Sequence, residues 1–172
     1  MTYRQWEIPL DALSKRQKSA HDYWATLMVS GSLPKISDFE LLKCSLESVP
    51  FIHIVDVIDS GNEFQYRFWG SDFRDHLGYD GTGLHSKDLR PQQIVDPVRA
   101  AYRKVVAEGR AIAMMSEFER GKSADMLGFQ RFMCLPLVTE LGEVGQVVSV
   151  VEFLQDYRDS QSIITEFSGE QF

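Results

Sequence analysis

The sequence predicts an α+β fold built on a five-stranded antiparallel sheet. Five runs rich in β-branched and aromatic residues predict strands, and they occupy residues 51–58, 63–70, 111–119, 127–137 and 145–153. Short clusters of turn residues join the first two runs to each other and the last three to one another, which favours antiparallel hairpins. One strongly helical segment separates the two groups of strands. This segregation of helices and strands along the chain is typical of the α+β class.

An amphipathic helix is predicted near the start of the chain, over residues 10–29. Apolar residues recur there at helical spacing, and Gly31 and Pro34 then end the pattern. The apolar stripe must cover either the sheet of its own domain or the helix of a partner. The sequence SDFE at Ser37–Glu40 fits a capping box, so a second, short helix is predicted to follow it and to reach about Glu47.

The stretch EFQYRFWG is a predicted strand in which aromatic and polar side chains alternate. Phe64, Tyr66 and Phe68 are expected to share one face of the strand, with Gln65 and Arg67 on the other. Gly70 interrupts the alternation, and the sequence SDFRDHLG predicts one or two helical turns capped by its first serine or aspartate. The glycine-rich sequence YDGTG predicts the turn that follows.

The clearest helical segment of the chain is DPVRAAYRKVVAEG. Asp96 is a favourable N-cap, Pro97 suits the first helical position, and Gly109 suits the position after the last turn. The predicted buried stripe of this helix consists of Val98, Ala101, Tyr102 and Val105.

The last predicted strand is apolar on both of its faces. Val147 and Val151 lie on one side, and Val148 and Val150 lie on the other. An antiparallel sheet with one solvated face would alternate more cleanly between apolar and polar residues. We therefore expect the central helices to cover one face, and the N-terminal helix or a second subunit to cover the other.

Charge and composition exclude several classes of function. The chain of 172 residues has 18 basic and 25 acidic residues, a net charge of −7, and its Lys and Arg residues are scattered, which argues against a nucleic-acid surface. No apolar run approaches the ~20 residues of a transmembrane helix, and the start of the chain does not read as a signal peptide. Cys44 and Cys134 form neither a disulfide framework nor a metal site. We therefore expect a cytoplasmic protein with reduced, buried thiols.

The sequence contains no recognisable catalytic motif. Gly121-Lys122-Ser123 matches the end of a phosphate-binding loop, but the required first glycine is replaced by Ser116, and a hairpin is expected where that loop needs a helix. There is no G-x-S-x-G nucleophile motif. The four histidines lack the close spacing of a helical zinc site. We therefore expect neither an enzyme nor a bound metal.

The central part of the chain resembles the PAS domain family, in particular a bacterial subfamily that often stands alone. The resemblance is carried by FQYRFWGSDFRDHLGYDGTGLHSKDL, by the helix end VVAEG and by the closing FMCLPL and GEVGQVVSVVEF, and it covers roughly residues 24–153. It implies a five-stranded sheet with helices over one face and, between them, a pocket that often binds a small molecule. It also implies a PAS-like core at residues 49–155, an N-terminal helical extension at residues 1–48 that caps or dimerises, and a peripheral tail at residues 156–172.

Eight residues are the candidates to line this pocket. They are Tyr66, Phe68, Trp69, Phe73, His76, Tyr102, Met115 and Phe132. A plainly filled core is the alternative, because an aromatic core and an apolar pocket have the same sequence signature. Imidazole at His76 could hydrogen-bond a ligand or ligate haem iron, and the alternative is a surface histidine.

The cofactors that PAS domains often carry are not favoured by this sequence. Haem-binding members often take their iron ligand from the long helix, and residues 97–108 contain no histidine. Flavin-based light sensors of this fold carry a reactive cysteine after the second strand, and residues 70–95 contain no cysteine. We therefore expect no haem, no covalent flavin and no cysteine-held iron–sulfur cluster.

The resemblance implies a non-enzymatic sensory or interaction module. We expect it to form a homodimer through the N-terminal helix, to bind a small molecule, and to signal to a separate effector protein. One alternative is a small α+β enzyme, or a carrier of lipids or other small molecules, with convergent polar groups in its cavity. Trp69, His76, His53 and Glu117 are the first residues to consider for it. Another alternative is a structural adaptor that has no cavity.

Overall fold

A six-stranded antiparallel sheet with helices on both faces forms the structure, a computed structural model that describes residues 4–119 and 127–154. The strands in this part of the chain are β1 (Arg4–Ile8), β2 (Ile52–Ile58), β3 (Glu63–Trp69), β4 (Ile112–Glu119), β5 (Leu127–Val138) and β6 (Val144–Leu154). Its α-helices are α1 (Lys15–Thr26), α2 (Ser71–Leu77) and α3 (Gln92–Glu108). Across the sheet the strands follow the order β1-β4-β5-β6-β2-β3.

The predicted α+β class is confirmed, and β2 to β6 are the five predicted strands, each ending within one residue of its predicted bounds. The sixth strand, β1, was not predicted. It extends the sheet at one edge by pairing antiparallel with β4, so that Trp6 lies opposite Met115. Five residues with two charged side chains give no strand pattern of their own, and the long-range pairing with β4 supplies the hydrogen bonds that define the strand.

Helix α1 is shorter than the predicted helix 10–29, because its start is fixed by a local hydrogen-bond pair. The Ser14 hydroxyl accepts a hydrogen bond from the Gln17 amide at 3.1 Å, and the Gln17 side chain accepts one from the Ser14 amide at 3.1 Å. This capping box places residues 10–12 in a separate short turn.

The short helix predicted after Ser37 is wrong. Residues 36–38 and 41–43 form isolated 3₁₀ turns, and Phe39 and Glu40 between them have extended backbone conformations. The Ser37 hydroxyl lies 3.5 Å from Asp38 Oδ1 and caps nothing. The chain is held extended here because the Glu40 amide donates to the Tyr23 hydroxyl on α1 at 3.0 Å.

Helix α3 begins at Gln92, four residues before the predicted N-cap, and Asp96 and Pro97 lie inside it. Two side chains of the sheet bind this part of the helix: Gln130 donates to the Ile94 carbonyl at 2.9 Å, and Gln5 donates to the Pro97 carbonyl at 2.9 Å. The helix ends as predicted, with Gly109 in the left-handed conformation at φ 59°. The predicted buried stripe is also confirmed, since Val98, Ala101, Tyr102 and Val105 are all at most 2% exposed.

Two cores lie on opposite faces of the sheet, as the apolar pattern of β6 predicted. The helix-side core packs α2 and α3 on the sheet and contains Val147 and Val151, whereas the α1-side core contains Val148 and Val150. The apolar stripe of α1 therefore covers the sheet of its own domain.

Hydrogen bonds to the sheet backbone set the position of α1 on this face. The fully buried Gln17 amide donates to the carbonyls of Arg131 and Val150, both at 3.2 Å, and the Trp24 indole donates to the Pro136 carbonyl at 2.9 Å. Apolar contact alone would permit sliding, but these three bonds specify one register of the helix on the strands.

Some predictions fall on residues that the structure does not describe. The turn RGKSAD lies within residues 120–126, and the tail 156–172 lies beyond Leu154. The division of the chain at residues 48 and 155 stays a prediction. Within residues 4–119 and 127–154, no helix is both long enough and apolar enough to cross a membrane.

A charge cluster attaches β1 to the end of α3. Glu7 accepts from Arg110 and Lys104, each at a shortest distance of 2.6 Å, and Arg110 also contacts Glu108. The Arg110 hydrogen bond, with further help from Lys104, lowers the pKa of Glu7 from its ordinary value of 4.5 to about 2.

We expect the contribution of Glu7 to stability to depend on pH. Because its folded-state pKa is depressed, the contribution is complete above pH 4.5 and is lost as pH falls towards 2. Glu7→Gln should therefore lower the free energy of unfolding by about 1 kcal/mol at pH 7 and by less at pH 3. Urea unfolding of both proteins at the two pH values measures this, and an equal difference at both would contradict it.

Candidate functional site

A row of buried polar side chains crosses the sheet beneath α3. Cys134 on β5 lies opposite Ser149 on β6, Ser149 lies opposite His53 on β2, and His53 lies opposite Trp69 on β3. All four are at most 5% exposed. Adjacent strands are about 4.8 Å apart, so each of these side chains borders the next. We call this set the buried row.

Two tyrosines add hydroxyl groups to the buried row. The Tyr102 hydroxyl, from α3, lies 2.9 Å from the Ser149 hydroxyl, and it is also hydrogen-bonded to Tyr66. Burial raises the pKa of both phenols above the ordinary value of 10, so both remain neutral. Burial likewise raises the pKa of the Cys134 thiol, which argues against a reactive thiolate at this position.

His53 lies in a box of aromatic rings. Its ring centroid is 4.5 Å from that of Phe73, 5.0 Å from that of Trp69 and 5.9 Å from that of Tyr66, each in an edge-to-face arrangement. Desolvation lowers the pKa of His53 from 6.5 to about 3, so the ring is neutral at ordinary pH.

Two nitrogens of this box are buried without a hydrogen-bond partner. They are His53 Nε2 and Trp69 Nε1. The indole nitrogen is a donor only, whereas the imidazole nitrogen donates or accepts according to its tautomer. Buried polar atoms are nearly always paired in folded proteins, so this pair of orphaned nitrogens calls for a ligand or a water molecule.

Helix α2 and the turn that follows it cover the box. Phe73 is the one buried residue of α2, and its ring stacks on Phe153 with centroids 5.1 Å apart. The His76 ring also stacks on Phe153, with centroids 4.4 Å apart, and its Nδ1 lies 3.0 Å from the Asp72 carbonyl. His76 therefore lies at the rim of the aromatic box, and its predicted contact with a ligand stays a prediction.

Two glycines allow the backbone to close over the box. A Cβ atom at Gly70 would lie 2.2 Å from the Pro50 carbonyl oxygen, so only glycine permits the close crossing at the start of α2. A Cβ atom at Gly81 would lie 2.6 Å from the Trp69 ring, so the turn YDGTG rests directly on the indole.

A second polar pair lies in the helix-side core near the start of α3. Ser116 on β4 lies opposite Gln130 on β5, and both residues are fully buried. The Ser116 hydroxyl and Gln130 Oε1 have no partner, although the Gln130 amide nitrogen binds α3 as described above. Neither residue was predicted, since a Ser and a Gln within strands give no sequence signal for such a role.

Five of the predicted site residues do come together in the helix-side core. They are Tyr66, Trp69, Phe73, Tyr102 and Phe132. Of these, Tyr102 and Phe132 have no solvent-accessible surface, so a ligand that contacts their rings must displace a neighbouring side chain.

Two predicted site residues, Phe68 and Met115, lie on the opposite face of the sheet. A β-bulge is responsible for the first error: Ile54 pairs with Phe68 and Val55 with Tyr66, so one extra residue of β3 breaks the alternation. Phe68 then packs against the α1-side core, and Trp69 takes the inner position.

The error at Met115 is one of strand phase. Met115 packs with Ile8 and Phe129 on the far face, and its neighbour Met114 supplies the methionine of the helix-side core. Consecutive methionines of a buried strand cannot be assigned to a face from sequence alone. Glu117 shares the face of Met115 by the alternation of β4, and therefore lies away from His53.

The arrangement therefore combines a hydrogen-bonding row with an aromatic box but supplies no acid–base pair. No charged group contributes to the shift at His53, which arises from burial. Among residues 4–119 and 127–154, no three His, Cys, Asp or Glu side chains are grouped as metal ligands.

Comparisons with known proteins agree with this geometry. No protein-family model matches the chain, and no curated protein matches it. The dark-state structure of the blue-light photoreceptor Aureochrome1 LOV domain matches with a TM-score of 0.52 and 14% identity, over 76% of this chain and 93% of that one. A light-oxygen-voltage (LOV) domain reported with a flavin analogue matches with a TM-score of 0.50 and 15% identity, over 70% and 87%.

LOV domains are PAS domains. The chain has a PAS fold. The antiparallel sheet is thus a PAS-like sheet. Identities this low show the fold alone, so the function of this PAS fold must be argued from the buried row and the aromatic box.

We expect Gly81→Ala to disturb the box. The added methyl group overlaps the Trp69 ring, so we expect a loss of about 1–3 kcal/mol in the free energy of unfolding and a shift of the Trp69 indole resonance. Thr82→Ala, in the same turn but solvent-exposed, should change stability by no more than about 0.5 kcal/mol. Urea unfolding and NMR measure both effects, and equal effects of the two variants would show that the turn does not press on Trp69.

Proposed function

We propose that the chain is a non-enzymatic sensory module that binds a small molecule at the buried row and reports its presence through α1. The observation that carries the proposal is the pair of orphaned nitrogens, His53 Nε2 and Trp69 Nε1, on two rings whose centroids lie 5.0 Å apart in an apolar layer. Each unpaired buried group costs about 1–3 kcal/mol, so a ligand that pairs with them gains that much in addition to its apolar contacts. One similar structure was reported with a flavin analogue, which supports a small molecule as the class of ligand.

The segment of β6 around residues 150–153 links the ligand side of the sheet to the α1 side. Phe153 contacts Phe73 and His76 of α2 in the helix-side layer. The preceding residue, Glu152, points to the other face, where it is 6% exposed and lies 3.1 Å from Arg131 and 3.5 Å from Arg16. A displacement of Phe153 therefore moves Glu152 with it.

Helix α1 is directly attached to this segment. Arg16 contacts Glu152, and the Gln17 amide donates to the Val150 carbonyl. The contacts of two consecutive α1 residues therefore depend on the position of β6. Two packings of α1 that differ in these contacts can be populated differently with and without ligand. This is a population shift, and its size is set by the difference in ligand affinity between the two packings.

The ligand is tested on the full chain by native mass spectrometry of protein purified from cells. We expect a bound small molecule in the wild type and a lower bound fraction in Trp69→Phe, which removes the orphaned N–H. Trp6→Phe is the matched control, because Trp6 Nε1 is also buried and unpaired but lies on the opposite face. Equal occupancy in both variants, or none in the wild type, would contradict the proposal.

The response of α1 is tested by amide hydrogen exchange with and without that ligand. We expect exchange to change in residues 15–26 when the ligand binds, because the contacts of Arg16 and Gln17 move with β6. Ligand binding with no change of hydrogen exchange in α1 would favour the alternative that the chain is a carrier of small molecules. Turnover of the bound molecule would favour the enzyme.

We also propose that the module is a homodimer, with a contact surface beside α1. The apolar stripe of α1 is already buried on its own sheet, so a second copy must use another surface of the N-terminal segment. Leu42 and Leu46 protrude there, 84% and 81% exposed, four residues apart. Isolated leucines at the surface are common, but two highly exposed ones on the N-terminal segment that contains α1 would place the signal at the subunit contact.

The dimer contact is tested by sedimentation of the full chain. We expect Leu42→Glu with Leu46→Glu to shift the protein towards the monomer, because both charges would be buried in the contact. Leu141→Glu is the control, since Leu141 is 87% exposed in the β5–β6 turn. A wild-type monomer, or a dimer that resists the double substitution, would remove this part of the proposal.

A further inference from the structure

The ring of Phe73 occupies the centre of the aromatic box. Its centroid lies 4.5 Å from His53, 4.9 Å from Trp69 and 5.1 Å from Phe153. It therefore contacts both rings that carry an orphaned nitrogen, but a phenyl ring has no acceptor to offer them. Phe73 fills the apolar space of the box and leaves its polar atoms unsatisfied.

Helix α2 holds Phe73 in place by few contacts. It has seven residues, Phe73 is its one buried residue, and the hydrogen bonds and ion pair of Arg74 and the contact of His76 Nδ1 with the Asp72 carbonyl stay within α2 or the glycines at its ends. Gly70 precedes the helix and Gly78 follows it, the latter in the left-handed conformation at φ 80°. Besides Phe73, the helix packs on the core through His76, which stacks on Phe153, and through the partly buried Leu77. A short helix with one fully buried side chain and a glycine at each end is a segment that can open at low cost.

We propose that the ligand is an uncharged molecule with a single six-membered ring and a carbonyl oxygen, whose ring takes the place of the Phe73 side chain and whose oxygen accepts a hydrogen bond from Trp69 Nε1–H. This inference rests on the proposed function and specifies the class of its ligand. The same oxygen, or a second polar atom of the molecule, pairs with His53 Nε2. Phe73 moves out with α2 when the ligand enters.

The chemistry of the box selects against the two nearest alternatives. A pure hydrocarbon would fill the space but leave the indole N–H unpaired, as Phe73 does. A carboxylate would have to be desolvated in a layer of rings, and His53, whose ring contacts Phe73, is neutral and brings no charge to pair with it. A neutral carbonyl compound satisfies the donor without bringing a charge into the layer.

Binding of three matched probes to the Phe73→Ala protein tests the inference, because this substitution opens the space of one ring. The probes are acetophenone, ethylbenzene and benzoate, which differ in the group attached to the ring. We expect calorimetry to give acetophenone about tenfold tighter binding than ethylbenzene, as one buried hydrogen bond predicts, and benzoate the weakest binding. The Trp69 indole proton resonance should shift with acetophenone and not with ethylbenzene.

Tryptophan substitutions in the Phe73→Ala background identify the donor. With Trp69→Phe, acetophenone and ethylbenzene should bind with affinities within about twofold of each other, whereas Trp6→Phe should retain the full preference. Phe73→Val, which opens less space, is used with the same probes if the alanine variant does not fold.

The outcomes separate this inference from the proposed function. Equal binding of acetophenone and ethylbenzene, a preference for benzoate, or no binding of any probe to a folded Phe73 variant would overturn the ligand class. A Phe73 variant that prefers acetophenone, together with a wild type that carries no ligand in cells, would support the class and overturn the sensory proposal. A charged ligand found in wild-type protein would overturn the ligand class and support the proposal that the chain binds a small molecule.

Discussion

The two-sided burial of β6 is the constraint on which the structure depends. Val147 and Val151 are covered by the helix-side core, and Val148 and Val150 by α1, all at most 1% exposed. Each such side chain contributes roughly 1.5–3 kcal/mol when it is removed from water, so neither layer can leave the sheet cheaply. Because β6 supports both layers, a change in the packing of the helix-side core moves the backbone on which α1 packs, and the reverse also holds.

The polar groups of the helix-side layer are surrounded by apolar side chains, which changes the protonation and hydrogen bonding of these groups. Cross-strand pairing places His53 next to both Ser149 and Trp69 in one row. A sheet stabilised by apolar contacts alone would not need polar side chains at these three neighbouring positions. Their burial keeps His53 neutral, and two of their nitrogens stay unpaired in an environment of rings. Apolar residues at these positions would give a more stable fold, so the unpaired nitrogens support the proposed recognition of a ligand.

On the opposite face, polar contacts connect α1 to the sheet, and in the proposed mechanism they transmit a movement of β6 to that helix. Gln17 and Trp24 specify the register of α1 by hydrogen bonds to strand carbonyls, and Glu152 connects the same helix to the strand that carries Phe153. Buried ion pairs add little net stability, but they change sharply when geometry changes. The pair formed by Arg131 and Glu152 is therefore better suited to reporting a movement of β6 than to holding the fold together.

Periodicity and turn chemistry in the sequence determined the five main strands, the long helix with its buried stripe, the need to cover both faces, and the aromatic character of the site, because these depend on local spacing and side-chain type. Tertiary structure decided the rest. Strand β1 exists through its pairing with β4, and α3 begins at Gln92 and not at Pro97, as the Asp96–Pro97 pair suggests. A bulge opposite Ile54 moved Phe68 to the far face, and cross-strand register alone aligned His53 with Ser149 and Trp69. Register is a relation between distant segments, so no local pattern encodes it.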